Sequence, residues 1–204
     1  QAKTLFPYTT LFRSAQAFDY VHGLTAGKGP ESAVAVISMS MGGLASRAWA
    51  DAVNALYEAG VVVVTAAGNN FGNLPTRNIV YPARFNRVIA ACGVMADHSP
   101  YADLALRKMA GNYGPDSKMR TALAASTPNV PWAKFGCADV VDFDGAGTSA
   151  ATPQIAAAAA MLMPVRTVYW LGSRILSESP IFAPSLANEG SYCLLIEPRK
   201  VDLA

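Results

Sequence analysis

Val34-Ala35-Val36-Ile37-Ser38-Met39-Ser40 and Val61-Val62-Val63-Val64-Thr65 are short, continuous β-branched runs. Each reads as a strand buried on both faces. Gly42-Gly43 breaks the first run. From Leu44 to Ala59 the apolar positions Trp49, Val53, Leu56 and Tyr57 then recur at helical spacing. Gly60 follows as a helix-ending cap. Strand, helix, strand at this spacing predicts a right-handed βαβ unit in a parallel sheet.

The pattern extends on either side. Arg87 to Val94 offers a third strand, and the Val140-Val141 region another. Ala15 to Leu24 reads as a helix packing on the first strand, with Gly27-Lys28-Gly29-Pro30 as the turn between them. Residues 96–130 mix Gly, Pro, Asn and Asp with weak periodicity, which predicts loops and short strands at the rim of the sheet. The alanine-rich stretch from Ser149 to Met163 predicts a core helix. Pro153 is tolerable in its opening turn, and Pro164 is expected to stop it. Residues 1–14 have neither a helical face nor clean alternation and read as an atypical arm, either exposed or not native sequence. Residues 164–204 form a divergent tail with at most a helix near Val168 to Leu176.

Composition narrows the function. At 204 residues the chain fits one domain. With 52% apolar and 15% charged residues it is no disordered chain, and much of its surface should be covered. The net charge of +2 comes without a Lys/Arg stripe, which argues against nucleic acid. No apolar run approaches the roughly 18 residues that suggest a membrane span. Cys92, Cys137 and Cys193 are too few and too scattered for a disulfide framework or a metal knuckle. Buried free thiols are the simpler reading, although one pair could bridge in an oxidising compartment.

The chemistry concentrates in Gly147-Thr148-Ser149-Ala150-Ala151-Thr152-Pro153. A glycine turn here becomes a buried helix and mounts a small hydroxyl, Ser149, at the helix start. Backbone amides there carry positive partial charge suited to a developing oxyanion. A plain Thr-Ser helix cap has the same appearance. Thr65-Ala66-Ala67-Gly68-Asn69-Asn70 follows the second strand, at the carboxyl end where parallel sheets bind ligands. Asn69 could donate its amide to an oxyanion, or the Gly-Asn pair could simply turn the chain. Ser40-Met41-Gly42-Gly43 could pair with an extended peptide as an added strand, or serve as a strand-to-helix turn.

An imidazole base would have to be His22 or His98, the two histidines of the chain, and neither has a carboxylate in a fixed local frame. Asp139, Asp142 and Asp144 are alternate carboxylates that could face calcium or form a solvated turn. Gly145 and Gly147 precede no Lys, so they make no phosphate loop, and Ala151 breaks the Gly-x-Ser-x-Gly elbow.

Together these blocks resemble the subtilisin-like serine proteases (subtilases). Gly147 to Pro153 is similar to the family's nucleophile block, with Ser149 as catalytic serine. Ala66-Ala67-Gly68-Asn69 is similar to its oxyanion block, and Val36 to Gly43 to its substrate-binding strand. Tyr81-Pro82-Ala83 and Val88-Ile89-Ala90 resemble the stretch after the oxyanion Asn. The resemblance covers about Ala15 to Met163, the carboxyl-terminal portion of a catalytic domain. It implies a three-layer α/β fold, a mostly parallel sheet with helices on both faces, incomplete at its amino end.

It also implies a serine endopeptidase acting by acyl transfer on peptide or protein substrates, with an extracellular location suspected. Ser149 and Asn69 would be catalytic; Ser40, Met41, Gly42, Ala67, Gly68 and Val80 would bind substrate. Val80 stands at the pocket base where many relatives have Gly, which predicts a shallower apolar pocket. No cofactor is expected, and calcium is implied by the resemblance alone. The family's catalytic Asp and His lie upstream of the substrate strand, where this sequence leaves no room for them. His22-Gly23-Leu24 is only superficially like the histidine block, since it falls at the end of the helix before that strand. The chain alone is therefore expected to be inactive, with the missing amino-terminal part of its own domain as a partner. The alternatives are a non-catalytic peptide-binding domain and a structural module whose Ser149 is only a cap.

Overall fold

The structure is a computed structural model that describes residues 7–26, 34–70, 76–103, 109–134, 136–137, 139–169 and 194–195. A parallel sheet forms its centre. Strands β1 (Val36–Met39), β2 (Val62–Ala66), β3 (Ile89–Val94), β6 (Ala122–Ser126) and β9 (Leu194–Leu195) pair side by side in that order. Every neighbouring pair is parallel. Two antiparallel ribbons lie outside it, β4 (Ala102–Asp103) with β5 (Met109–Ala110), and β7 (Val130–Ala133) with β8 (Val141–Gly145).

Alternation along the strands sends side chains to two different helical layers. Met39 and Val63 point to one face, where they pack with Trp49, Val53 and Leu56 of α2 (Arg47–Glu58) and with Ala15 and Phe18 of α1 (Pro7–Thr25). Val36, Val62, Val64, Ile89, Ala91 and Leu123 point to the other, against Ile155 and Ala156 of α3 (Thr148–Tyr169). Fully burying a Val, Leu or Ile side chain is worth about 1.5–3 kcal/mol, so these two cores hold the layers together. On the first face, beside β3 and β6, the residues are mostly small (Ala90, Cys92, Ala122, Ala124), and Ile79 and Met119 cover them.

The βαβ unit predicted from residues 34–65 is present, and its helix ends as its sequence implies. Gly60 adopts φ +81°. Its N–H donates to the Tyr57 carbonyl, and that of Val61 donates to Leu56. These two bonds are the Schellman arrangement, which needs a residue that tolerates a left-handed backbone.

Three expectations are corrected. The segment 122–126 is no rim element, because β6 lies inside the main sheet between β3 and β9. Its Ala-Leu-Ala-Ala-Ser sequence carries no β-branched residue, so its strand character comes from pairing with β3 and not from propensity. The first helix begins at Pro7, not Ala15, so residues 7–14 are helical backbone continuous with the predicted helix. Pro164 does not end α3, which continues to Tyr169. The predicted helix at 168–176 lies outside the described residues beyond Tyr169. Cys92 and Cys137 are not bridged to each other, and Cys193 lies outside the described residues. Among the described residues no helix is long and apolar enough to cross a membrane.

Candidate active site

Parallel strands end on one side of a sheet, so the loops after β1, β2 and β3 share one rim. Two of these loops meet the start of α3. The turn that opens α3 is made by Gly147, at φ +75°, a conformation costly for residues with a Cβ. Its carbonyl accepts from the N–H of Ala150 at 3.0 Å, which begins the helical ladder. The N–H groups of Thr148 and Ser149 then have no intrahelical acceptor.

Asn69, just past β2, takes the first of these. Its Oδ1 accepts from the Thr148 N–H at 2.7 Å and from the Thr148 hydroxyl at 2.9 Å. A backbone N–H can only donate, so the Asn69 atom facing it must be the oxygen. The Asn69 Nδ2 is thereby left as a donor, with no acceptor among the described residues. The Thr148 hydroxyl also accepts from the Gly68 N–H at 3.1 Å. Thr148 is fully buried, so its hydroxyl is a fixed pin between loop and helix. A Cβ on Gly147 would come within 2.8 Å of Asn69 Nδ2 and 2.9 Å of Oδ1, so the glycine also makes room for the amide.

Ser149 is half-buried and meets the loop after β1. The Ser40 hydroxyl donates to the Ser149 carbonyl at 2.9 Å, and the Ser149 hydroxyl points back to the Ser40 carbonyl at 3.5 Å. Ser40, Met41 and Gly42 are exposed. Gly43 exchanges two backbone bonds with Tyr81, at 2.7 and 3.1 Å. Val80 donates its N–H to the Ala67 carbonyl at 2.9 Å. A Cβ built on Gly42 would collide with Val80 Cγ2. Val80 therefore fills the space beside the 40–42 strand and the 67–68 turn. All eight site residues expected from the sequence thus fall on one contiguous rim.

The two histidines do not join them. Thr25, at the end of α1, accepts from the Val34 N–H at 3.3 Å, which puts the end of α1 at the amino end of β1. His22 is one turn earlier, while Ser149 adjoins Ser40 past the carboxyl end of β1. Val34 and Ser40 are six residue steps apart along an extended segment, about 20 Å. His98 sits in an exposed turn at φ +65° with no hydrogen bond to the site among the described residues. Beside it, Asp97 accepts from the hydroxyl and N–H of Ser99 at 2.6 and 3.0 Å. These bonds, the side-chain one foremost, hold its carboxyl below the ordinary value.

The carboxylates near β8 are engaged elsewhere. Asp144 accepts from Trp132 Nε1 at 2.7 Å, and Asp142 lies 3.9 Å from Lys134 Nζ. Among the described residues no group of three or more His, Cys, Asp or Glu is placed to hold a metal ion. Thr148, which ties the loop at 68–69 to the start of α3, carries no sequence signal of that role and reads only as part of a cap.

A family model described as "Subtilase family" matches residues 9–171. The chain belongs to the subtilase family. Among its subtilase relatives, it is 27% identical over 158 residues to subtilisin NAT of Bacillus subtilis subsp. natto, covering 77% of this chain and 38% of that protein. It is 32% identical over 130 residues to subtilisin DY of Bacillus licheniformis, covering 63% and 42%. The chain thus spans about two fifths of the length of these curated relatives. Its fold is similar to that of the prenylagaramide maturation protease PagA, at TM-score 0.59 and 20% identity over 77% of this chain and 50% of that one. The S218A mutant of the protease domain of PatA gives TM-score 0.59 at 22% identity, over 76% and 50%. The three-layer α/β fold and the protease family expected from the sequence are therefore both found.

Proposed function

We propose that this subtilase chain supplies the nucleophile, the oxyanion donors and the substrate strand of a serine endopeptidase site. Ser149 Oγ attacks the carbonyl carbon of a peptide bond, and the C–O bond forms as the carbonyl becomes an oxyanion. Asn69 Nδ2 and the Ser149 N–H donate to that oxygen. Collapse expels the amine and leaves an acyl-serine, which water hydrolyses. The substrate backbone lies along Ser40-Met41-Gly42, and the side chain before the cut bond enters between that strand and Ala67-Gly68, over Val80. The observation that carries this reading is the pair of bonds from Thr148 to Asn69 Oδ1. They saturate the oxygen and leave the amide nitrogen free to donate.

Proton transfer is the other half of the reaction. A base must take the Ser149 proton and return it to the leaving amine. Neither His22 nor His98 is placed for it, so these 204 residues alone recognise peptide without turning it over. The acid–base pair comes from a further part of the same domain. An extracellular location accords with the family.

The test is binding and labelling of the chain itself. A peptide ending in Ala with a free carboxylate resembles a cleavage product, and its carboxylate can occupy the oxyanion position. Calorimetry should detect its binding, and Asn69→Ala should weaken it about tenfold, the worth of a hydrogen bond to a charged group. A fluorophosphonate should not label Ser149 at an enzymatic rate. Equal affinity of the Asn69→Ala chain, or no binding at all, would overturn the oxyanion assignment. Rapid Ser149-dependent acylation would overturn the claim that the base lies elsewhere. A peptide that binds equally well as acid and amide would favour the non-catalytic peptide-binding alternative.

A further inference from the structure

We infer that Asn112 is a positioning residue that locks the Asn69 loop to the segment carrying Val80, so that the oxyanion donor and the substrate pocket hold one fixed relation. This rests on the reading of Asn69 as oxyanion donor. Asn112 is only 2% exposed, and its side chain makes three hydrogen bonds to these two segments. Its Oδ1 accepts from the Asn70 N–H at 3.1 Å. Its Nδ2 donates to Asn70 Oδ1 at 3.2 Å and to the Asn78 carbonyl at 2.9 Å. Its own N–H donates to the Gly68 carbonyl at 2.9 Å. Residues 68 and 70, which flank Asn69, are thus both held by Asn112, and Asn78 lies two positions before Val80.

The backbone around it has the same plan. Segment 110–114 lies between the two, since Ala110 donates to the Asn69 carbonyl at 3.3 Å and Ile79 donates to the Gly114 carbonyl at 2.9 Å. Gly68, at φ +113°, lets Asn112 approach, because a Cβ there would come within 2.9 Å of Asn112 Nδ2. No other side-chain type does the same work. Aspartate lacks the donor for Asn78 and Asn70 Oδ1, and leucine leaves the Asn70 N–H and the Asn78 carbonyl unpaired. Asn112 does not touch the position of the reacting carbonyl. It acts through Asn69.

The test compares N112A and N112D with N70A. Asn70 is exposed, so N70A removes one arm of the latch without threatening the fold. The first readout needs no ligand. By NMR, the Thr148 amide that donates to Asn69 Oδ1 should shift, and its hydrogen-exchange protection should fall about tenfold, while β2 and β3 amides keep theirs. The second readout is the affinity ratio of the same Ala-ended peptide as free acid and as C-terminal amide. The acid preference should fall about fivefold to tenfold in N112A and less in N70A, with the amide peptide bound as before. A merely structural Asn112 would weaken both peptides alike.

Ionised N112D keeps only the acceptor for the Asn70 N–H, and protonated N112D adds one O–H donor, so at low pH it should fall between wild type and N112A. Unchanged Thr148 shifts and protection in N112A, or in N70A if N112A does not fold, overturn the proposal, as does equal loss of both peptides. If the wild-type chain binds neither peptide, the oxyanion reading fails. The Thr148 readout then still decides whether Asn112 holds the loop.

Discussion

Thr148→Val is the sharpest probe of how the site is assembled. Valine matches threonine in shape, so the fully buried position gains no cavity, and only the hydroxyl is lost. Two hydrogen bonds go with it, the one Thr148 donates to Asn69 Oδ1 and the one it accepts from the Gly68 N–H. A net bond is worth about 1 kcal/mol, and leaving the Gly68 N–H unpaired adds about 1 kcal/mol more, since Gly68 is half-buried and water reaches part of it. The expected cost is therefore about 2–3 kcal/mol. With a urea slope of about 2 kcal/mol per molar, the unfolding midpoint should fall by about 1 M.

Thr152→Val is the matched control. Thr152 is equally buried and one helical turn away, but its hydroxyl makes only a back-bond to the Thr148 carbonyl at 2.8 Å. Such bonds contribute little, so its cost should stay below about 0.5 kcal/mol. Equal midpoints for the two variants in urea melts followed by circular dichroism would refute the idea that the Thr148 hydroxyl pins loop to helix.

The same reasoning yields further expectations. Gly147→Ala should cost about 2 kcal/mol or more, since it combines a left-handed backbone at φ +75° with a Cβ 2.8 Å from Asn69 Nδ2; Gly23→Ala, which meets nothing within 4 Å in the middle of a helical turn, should stabilise by up to about 1 kcal/mol in the same melts. Val80→Gly should raise the affinity of Phe-ended relative to Ala-ended peptide acids, because it empties the space beside Gly42; an unchanged ratio by calorimetry would separate Val80 from the pocket. Ser99→Ala should raise the Asp97 pKa toward its ordinary value, as NMR titration would show. A carboxyl whose pKa is depressed on folding contributes stability above its unfolded value, lost as pH falls through the folded one, so the acid loss attributable to Asp97 should shrink in that variant.

How much of this was legible in the sequence depends on where each element's stabilisation comes from. β1, α2 and β2 carry their own signals in β-branched runs, a helical stripe and Gly60, so local preference and tertiary role agree. β6 is the opposite case. Ala122 to Ser126 has the composition of a helix and becomes a strand because β3 offers a parallel edge, with Ala122 and Ala124 packed on one face and Leu123 on the other. Residues 7–14 lack a face to read, yet they extend a helix whose later turns bury Ala15 and Phe18. Ser149 and Asn69 were legible as a hydroxyl at a helix start and an amide at a strand end. Thr148 and Asn112 were not, since their importance lies in which distant backbone groups they satisfy, and no spacing rule encodes a bond between residues 79 or 42 positions apart.

On the proposed reading, these long-range bonds also explain how the oxyanion donor can be set in place independently of the base. Among the described residues, the contacts that orient Asn69 close among the loop at 68–70, segment 110–114 and Thr148. None of them uses an ionisable side chain. The donors are backbone N–H groups, hydroxyls and amides, whose geometry is independent of pH and of any neighbouring charge. An oxyanion site of this kind is preorganised by the fold, and its stabilising power does not wait for a proton acceptor to arrive. On the proposed reading, a base would have to compete for the Ser149 hydroxyl, which already faces the Ser40 carbonyl at the outer limit of a hydrogen bond. An imidazole accepting that proton would have to draw the hydroxyl away from Ser40, which frees that carbonyl to accept from a substrate backbone N–H. Activation of the nucleophile and seating of the peptide would then favour each other through one oxygen atom.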